Sequence, residues 1–228
     1  MAAELILYGA KGSPFVRKVQ VLLAEKGIEF KMEGVSIFPP PDWFAEISPA
    51  KRIPVLRDLS IGSEGAAGTL PDSSVICAYL ERKYPTPPLY PSEPFAYGRA
   101  LWFEEYTDTE LSAQIGGGMF RPLVVGPLMG KAADVDTARK TLQEKLPPLF
   151  DYLNAELDGQ EYLVGNAFTI ADISLGCQLV NLKHTGARID ADRWPALAAY
   201  GGRILARPSL ADRIIDEQRI FKQVDHGL

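Results

Sequence analysis

The residue with the clearest chemical potential is Ser13, in the stretch Gly12-Ser13-Pro14-Phe15 that directly follows the apolar run Leu5-Ile6-Leu7-Tyr8. The apolar run predicts a strand, and Ser followed by Pro is typical of the N-cap and first position of a helix. The Ser13 hydroxyl would then stand among free backbone N–H groups, where the helix dipole stabilises an anion such as a thiolate. A helix cap without chemistry is the alternative interpretation of this Ser-Pro pair.

Two further stretches have clear local signals. Ile53-Pro54-Val55-Leu56 is a short apolar strand with Pro at its start, where the missing N–H is tolerated. Asp72 or Ser73 opens a predicted helix that continues to Tyr84. The start of a helix presents free N–H groups that an anion could use. A simple N-cap is again the alternative.

Composition and charge exclude several classes of partner. The 228 residues carry 24 Lys and Arg against 29 Asp and Glu, a net charge of −5 without any basic run, which argues against nucleic-acid binding. No apolar stretch approaches the length of a membrane span, and the first residues do not resemble a signal peptide. Cys77, Cys177 and the two histidines, His184 and His226, show no metal-ligand spacing. We therefore expect a cytoplasmic protein with no metal ion, no membrane contact and no nucleic-acid partner.

The elements that must hold these residues follow two patterns. Up to residue 85, strands and helices alternate as β-α-β-α-β-β-α, which predicts a partly parallel sheet covered by helices. A proline-rich linker occupies residues 86–91, and residues 92–228 carry only helical patterns. The predicted fold class is therefore α/β plus all-α, with domains at 1–85 and 92–228.

Two local signals stand out in the helical part. Three consecutive glycines at 116–118 predict a break in a helix, since each costs roughly 1 kcal/mol relative to Ala. Thr169 and Asp172 have the spacing of a capping box, which predicts a helix start and a structural role for Asp172 worth about 1 kcal/mol.

Four segments in this order resemble the cytosolic glutathione transferases, and the resemblance covers nearly the whole chain. The segments are residues 13–19, 48–56, 70–76 and 168–172. The first is similar to the active-site turn of the Ser-type classes, such as tau, phi and zeta, or of an unclassified bacterial-type relative. The resemblance implies a thioredoxin-like N-terminal domain, an all-helical C-terminal domain and a homodimer.

The resemblance also implies roles for individual residues. Ser13 would donate a hydrogen bond to the sulfur of glutathione, the cosubstrate. Pro54 would follow a cis peptide bond, so that Ile53 offers its backbone N–H and C=O to the cysteinyl part of glutathione. Asp72 and Ser73 would hold the γ-glutamyl end. The remaining implied glutathione-binding residues are Phe15 and Arg52. For the glycyl carboxylate the candidates are Lys51 and Arg52, of which Arg52 is in the better-matched position.

The chain departs from the family pattern near the glutathione ends. Asp72 stands where Glu or Gln is usual, and Ser48 stands where Asn is usual. No Lys, Arg or His lies between Glu33 and Ala50, where related classes place a basic residue. Ser rather than Cys at position 13 favours transferase or peroxidase chemistry over a mixed disulfide.

The second substrate is expected to be a small apolar electrophile or an organic hydroperoxide, in a cleft to which the helical domain contributes. Phe15 borders this cleft, and its other candidate lining residues are Phe38, Tyr106, Met119 and Phe120. Tyr8 is the rival sulfur donor, with a role in the core as its other interpretation. A binding or interaction module that keeps the fold without turnover is the alternative function.

Overall fold

The computed structural model describes residues 4–36, 39–221 and 226–228, and the chain divides into two units, Met1–Leu89 and Tyr90–Leu228. The elements of the first unit are β1 (Leu5–Gly9), α1 (Pro14–Glu25), β2 (Lys31–Gly34), α2 (Phe44–Ile47), β3 (Val55–Asp58), β4 (Thr69–Pro71) and α3 (Ser73–Lys83). The strand order is β2-β1-β3-β4. β1 runs parallel to β2 and antiparallel to β3, and β3 runs antiparallel to β4. This is the thioredoxin-like arrangement that the resemblance predicts.

The end of β1 fixes where α1 begins. Leu5 and Leu7 of β1 are buried, as the alternation of a strand requires. Gly9, the last residue of β1, lies against the first turn of α1, because a Cβ built on Gly9 would come within 2.5 Å of a Val16 methyl group. A larger residue would push the helix away. The glycine therefore helps to place Ser13 directly beyond the strand end.

In its described residues, 90–221 and 226–228, the second unit has helices and loops and no strand. Its regular helices are α4 (Pro94–Tyr106), α5 (Gly126–Leu128), α6 (Val135–Lys140), α7 (Leu146–Glu156), α8 (Ile170–His184), α9 (Pro195–Leu205) and α10 (Pro208–Gln218). Three segments with the wider i→i+5 hydrogen bonding of a π-helix join them, at Thr107–Leu111, Ala113–Val125 and Thr141–Lys145. In the part of the chain that the structure describes, none of the helices has both the length and the apolar character needed to cross a membrane.

The predicted helix break at residues 116–118 is wrong. The three glycines lie inside the π-helical segment Ala113–Val125, whose neighbours Met119 and Phe120 are buried. Gly118 has a packing role, because a Cβ there would lie 2.5 Å from Thr141 Oγ1. Close contact with the segment that contains Thr141 and the burial of the following side chains outweigh the propensity cost of the glycines.

Asp172 is a buried centre of the helical unit. The predicted capping box at the start of α8 is confirmed, and Asp172 is fully buried within it. Its carboxylate accepts hydrogen bonds from the Leu163 N–H at 3.0 Å, the Thr169 N–H at 2.9 Å and the Tyr200 hydroxyl at 2.8 Å. Burial raises the pKa of the Asp172 carboxyl, and these hydrogen bonds oppose the rise. One side chain thus ties the start of α8 to α9 and to the preceding loop.

Candidate functional site

Ser13 is the N-cap residue of α1. Its backbone is extended, with φ −73° and ψ 119°, and its Oγ accepts a hydrogen bond from the Val16 N–H at 3.3 Å. Gly12 precedes it with a φ of 83°, a left-handed conformation that favours glycine. The cap uses the hydroxyl oxygen as an acceptor only, and no described residue accepts the Ser13 O–H. This half-buried hydroxyl can therefore donate to an anionic atom beside the first turn of α1.

The Tyr8 phenol is engaged at a different place in the sheet. Its oxygen accepts a hydrogen bond from Arg57 Nε at 3.3 Å, and its ring meets Trp43 edge-on with 6.0 Å between the ring centroids. Arg57 stands opposite Ile6, two residues before Tyr8 in β1. The phenol thus leans back along the strand, whereas Ser13 lies beyond its end. The ring packs on a buried cluster made of Val35, Phe44, Ile47 and Val55.

The start of α3 offers unused donors. Asp72 is its N-cap residue, and its Oδ1 accepts hydrogen bonds from the Ser74 N–H at 2.9 Å and the Val75 N–H at 3.2 Å. Ser73 is the first residue of the helix and is buried, and its own N–H and hydroxyl have no partner among the described residues. A free N–H and a free O–H at the positive end of a helix are suited to a carboxylate.

The Ile53–Pro54 peptide bond is cis, as the resemblance predicts. Pro54 is buried directly before β3, and the half-buried Ile53 packs its side chain against the same apolar cluster as Tyr8. The N–H and C=O of Ile53 make no hydrogen bond to any residue that the structure describes. An extended peptide could therefore pair with this stretch of backbone as an added strand does.

Ser48 organises the turn before Ile53. It is fully buried, and its Oγ donates to the Arg52 carbonyl at 2.8 Å and accepts from the Arg52 N–H at 3.0 Å. The turn includes Lys51 with a φ of 53°. Lys51 and Asp72 are the two non-glycine residues with positive φ in the described part of the chain, and such strained backbone often lies at ligand sites. Arg52 is the last residue of this turn, and its side chain is exposed.

The four residues assigned to the second substrate are in different surroundings. Phe38 lies outside the described residues. Tyr106 is half-buried, with its ring 4.9 Å from that of Tyr152, and burial together with Tyr152 and Glu110 raises its pKa to about 12.

The other two residues of that set face the interior of the helical unit. Met119 is fully buried, and Phe120 packs edge-on against Phe221 with 5.5 Å between ring centroids. Their contacts are those of core residues. Within the described ranges, no three His, Cys, Asp or Glu side chains lie close enough together to hold a metal ion.

Among the buried cations that sequence reasoning missed are Lys18 and Arg57. Lys18 of α1 is 1% exposed, and its Nζ donates to Ser74 Oγ at 2.9 Å. Arg57 is 6% exposed, and its Nη atoms donate to the carbonyls of Ala67 and Gly65, so it holds the loop between β3 and β4. The spacing of Lys18 from Leu22 on the apolar face of α1 was a signal that could have revealed its burial.

Family comparisons agree with this geometry. A model of the glutathione S-transferase N-terminal domain matches residues 7–88, and one of the C-terminal domain matches residues 133–200. The chain is 32% identical to glutathione S-transferase 3 of Zea mays over 176 residues, which cover 75% of this chain and 74% of that protein. It is 28% identical to the chloroplastic glutathione S-transferase DHAR3 of Arabidopsis thaliana, over 87% of this chain and 67% of that protein.

A solved structure shares the fold over nearly the full length. It is a glutathione S-transferase of Methylobacterium radiotolerans in complex with glutathione sulfonate, with a TM-score of 0.71 and 28% identity. The likeness covers 92% of this chain and 94% of that one. On the two domain matches, the 32% identical relative and the thioredoxin-like fold followed by helices, the chain belongs to the glutathione S-transferase family.

Proposed function

We propose that this chain binds glutathione and activates its thiol through Ser13, for transfer to a small apolar electrophile or for reduction of an organic hydroperoxide. The observation that carries the proposal is the Ser13 hydroxyl, which caps α1 as an acceptor and keeps its proton for a ligand. Ser13 has no base beside it among the described residues, so the hydroxyl acts as a donor to sulfur rather than as a nucleophile.

The free energy that Ser13 and the start of α1 can supply is large enough to ionise the glutathione thiol. The thiolate is the reactive form of a thiol with a pKa of about 8.5, and lowering that pKa by about two units requires about 2.7 kcal/mol. A hydrogen bond to a charged group contributes roughly 1.5–3 kcal/mol, and a helix N-terminus contributes roughly 0.3–1 kcal/mol. The Ser13 O–H and the start of α1 together reach this value, whereas the helix alone does not.

The rest of glutathione would extend along the residues already described. The backbone N–H and C=O of Ile53, which precedes the cis bond to Pro54, would pair with the cysteinyl residue. Ser73 would bind the γ-glutamyl carboxylate and Asp72 its ammonium group. The exposed Arg52 would receive the glycyl carboxylate, with Phe15 as an apolar neighbour. The glutathione sulfonate bound by the Methylobacterium relative supports a ligand of this chemistry.

For the electrophile we propose Tyr106 as a contact in the helical unit, with Met119 and Phe120 in the core of the same unit. The Tyr106 phenol is protonated at neutral pH, as an ordinary tyrosine is, and burial raises its pKa further to about 12, so it can donate a hydrogen bond to a polar substituent. Ser13 cannot form the disulfide that a cysteine would, which favours transferase or peroxidase chemistry.

We also propose a homodimer and a cytoplasmic location. Exposed apolar side chains on one helix support the dimer, because Phe95 and Trp102 of α4 are 77% and 48% exposed. The two cysteines, Cys77 and Cys177, are free and buried, which suits a reducing compartment.

Calorimetric titration with glutathione, followed by a transferase assay with chlorodinitrobenzene and a peroxidase assay with cumene hydroperoxide, tests the proposal. We expect binding and turnover in at least one assay, and in Ser13→Ala we expect glutathione to bind still while most of the turnover is lost. Binding without turnover across a broad panel of electrophiles would instead indicate the non-catalytic module.

A further inference from the structure

The side chain of Lys18 is buried inside the glutathione-binding unit. It is 1% exposed, although lysine is rarely buried without a partner that justifies its desolvation. Lys18 lies on the face of α1 that also carries Val19 and Leu22, both fully buried. The ammonium group is thus held within the protein at a defined place rather than moving in solvent.

That place is the first turn of α3. Lys18 Nζ donates a hydrogen bond of 2.9 Å to Oγ of Ser74, the second residue of the helix. The Ser74 N–H in turn donates to Asp72 Oδ1 at 2.9 Å. Between these two residues stands Ser73, whose N–H and hydroxyl have no partner among the described residues. The buried Lys18 ammonium therefore lies at the N-terminus of α3, beside residues 72–74, where the N–H and the hydroxyl of Ser73 are available as donors.

We propose that Lys18 is a positioning residue for the γ-glutamyl carboxylate of glutathione. This inference rests on the proposed function, in which Ser73 binds that carboxylate. Lys18 acts in two ways: it fixes the Ser74 hydroxyl and with it the first turn of α3, and its charge adds to the positive end of the helix. Because the ammonium is buried, its field is screened less than that of a surface lysine.

The consequence is specificity for a ligand with a negative charge at this end. Glutathione carries a free α-carboxylate on its γ-glutamyl residue, whereas the corresponding α-carboxamide is neutral there and equal in size. Lys18 should therefore contribute more to the affinity for the first ligand than to that for the second, because only the first gains from its charge. A purely structural lysine would affect both ligands alike.

The test is calorimetric titration of both ligands into the full-length protein and its variants. Lys18→Met is expected to weaken glutathione binding about ten- to a hundredfold, the range for a lost interaction with a charged group, and to weaken binding of the α-carboxamide by a clearly smaller factor. Lys18→Arg should restore most of the glutathione affinity. Lys31→Met is the matched control, because Lys31 is a largely exposed lysine of the same unit, and it should change neither affinity.

Kinetic measurements and a second variant keep the test decisive even if Lys18→Met does not fold. In Lys18→Met the KM for glutathione should rise while kcat at saturating glutathione stays within about twofold, as for an interaction with bound ligand that is equal in the ground and transition states. Ser74→Ala removes the hydroxyl that Lys18 fixes and should also weaken binding of glutathione selectively, even if Lys18→Met fails to fold.

Three results would overturn the inference. An unchanged glutathione affinity in both Lys18→Met and Ser74→Ala shows that the lysine does not serve the ligand. An equal loss for the two ligands shows a structural role. If the unmodified protein binds neither ligand, the proposed function fails and the inference falls with it, which is distinguishable because the first two results require binding by the unmodified protein.

Discussion

Replacement of Ser13 by Ala should raise the pKa of the bound glutathione thiol by about one to two units. The hydroxyl is free to donate to sulfur, and a hydrogen bond to a charged group contributes roughly 1.5–3 kcal/mol, where 1.36 kcal/mol corresponds to one unit. At pH 7 the rate should fall roughly 3- to 25-fold, because the thiolate fraction falls from about 0.8 at a pKa of about 6.5 to about 0.2–0.03 at a pKa of about 7.5–8.5, and the loss should approach 10- to 100-fold well below pH 6.5. The difference should shrink as the pH rises and the thiol ionises without help.

The assay is the pH dependence of kcat/KM for conjugation, together with the ultraviolet absorbance of the bound thiolate. Ser13→Thr keeps a hydroxyl and a helix cap and should retain most of the activity. Tyr8→Phe is the control for the rival donor and should have little effect, because that phenol meets Arg57. Ser13→Ala also loses a cap worth about 0.5–2 kcal/mol, so thermal unfolding must show that the variant is folded at the assay temperature. Identical pH profiles for Ser13→Ala and the unmodified protein would refute the reasoning.

Three further predictions concern stability. Burial would raise the pKa of Asp58, but hydrogen bonds from Lys83 and neighbouring hydroxyls outweigh it and lower the pKa from 3.8 to about 2. Asp58 therefore stabilises the fold above about pH 4, and about 2 kcal/mol should be lost as the pH falls toward 2, a loss that denaturant titrations detect and that Asp58→Asn should reduce. Asp172→Ala should cost about 3 kcal/mol or more in the same titrations, because it leaves several buried donors unsatisfied. Gly118→Ala should cost about 1–3 kcal/mol, whereas Gly117→Ala, which has open space around it, should stabilise the protein slightly.

Each of these has a clear contrary result. Equal acid sensitivity in Asp58→Asn and the unmodified protein would show that Asp58 does not carry the pH dependence. A loss of only about 1 kcal/mol in Asp172→Ala would reduce the residue to the simple helix cap expected from its spacing. Equal effects of Ala at positions 117 and 118 would show that Thr141 yields without cost.

The local signals in the sequence were sufficient for the fold class and for the elements that hold Ser13. The Ser-Pro pair predicts the start of α1, and the structure places Ser13 there as the N-cap residue. Alternation of strand and helix predicts a partly parallel sheet, which β1 and β2 form. These signals are local, because caps, turns and apolar periodicity act within a few residues of the chain.

What the sequence could not predict depends on contacts between distant segments. The glycines at 116–118 predict a helix break because helix propensity considers each residue alone. It leaves out the packing of Thr141, from another helical segment, on Gly118. Asp172 read as a cap of modest value because its bond to Tyr200 spans 28 residues. The burial of Lys18 was missed because its partner, Ser74, lies 56 residues away. In each case a tertiary partner decides the role of the residue.

A crystal structure of the protein with glutathione tests the central claim most directly. The account predicts that the sulfur lies within about 3.5 Å of Ser13 Oγ, the limit for such a hydrogen bond, with the γ-glutamyl carboxylate on Ser73. A sulfur bound instead to the Tyr8 phenol, or placed well beyond hydrogen-bonding reach of Ser13, would contradict it.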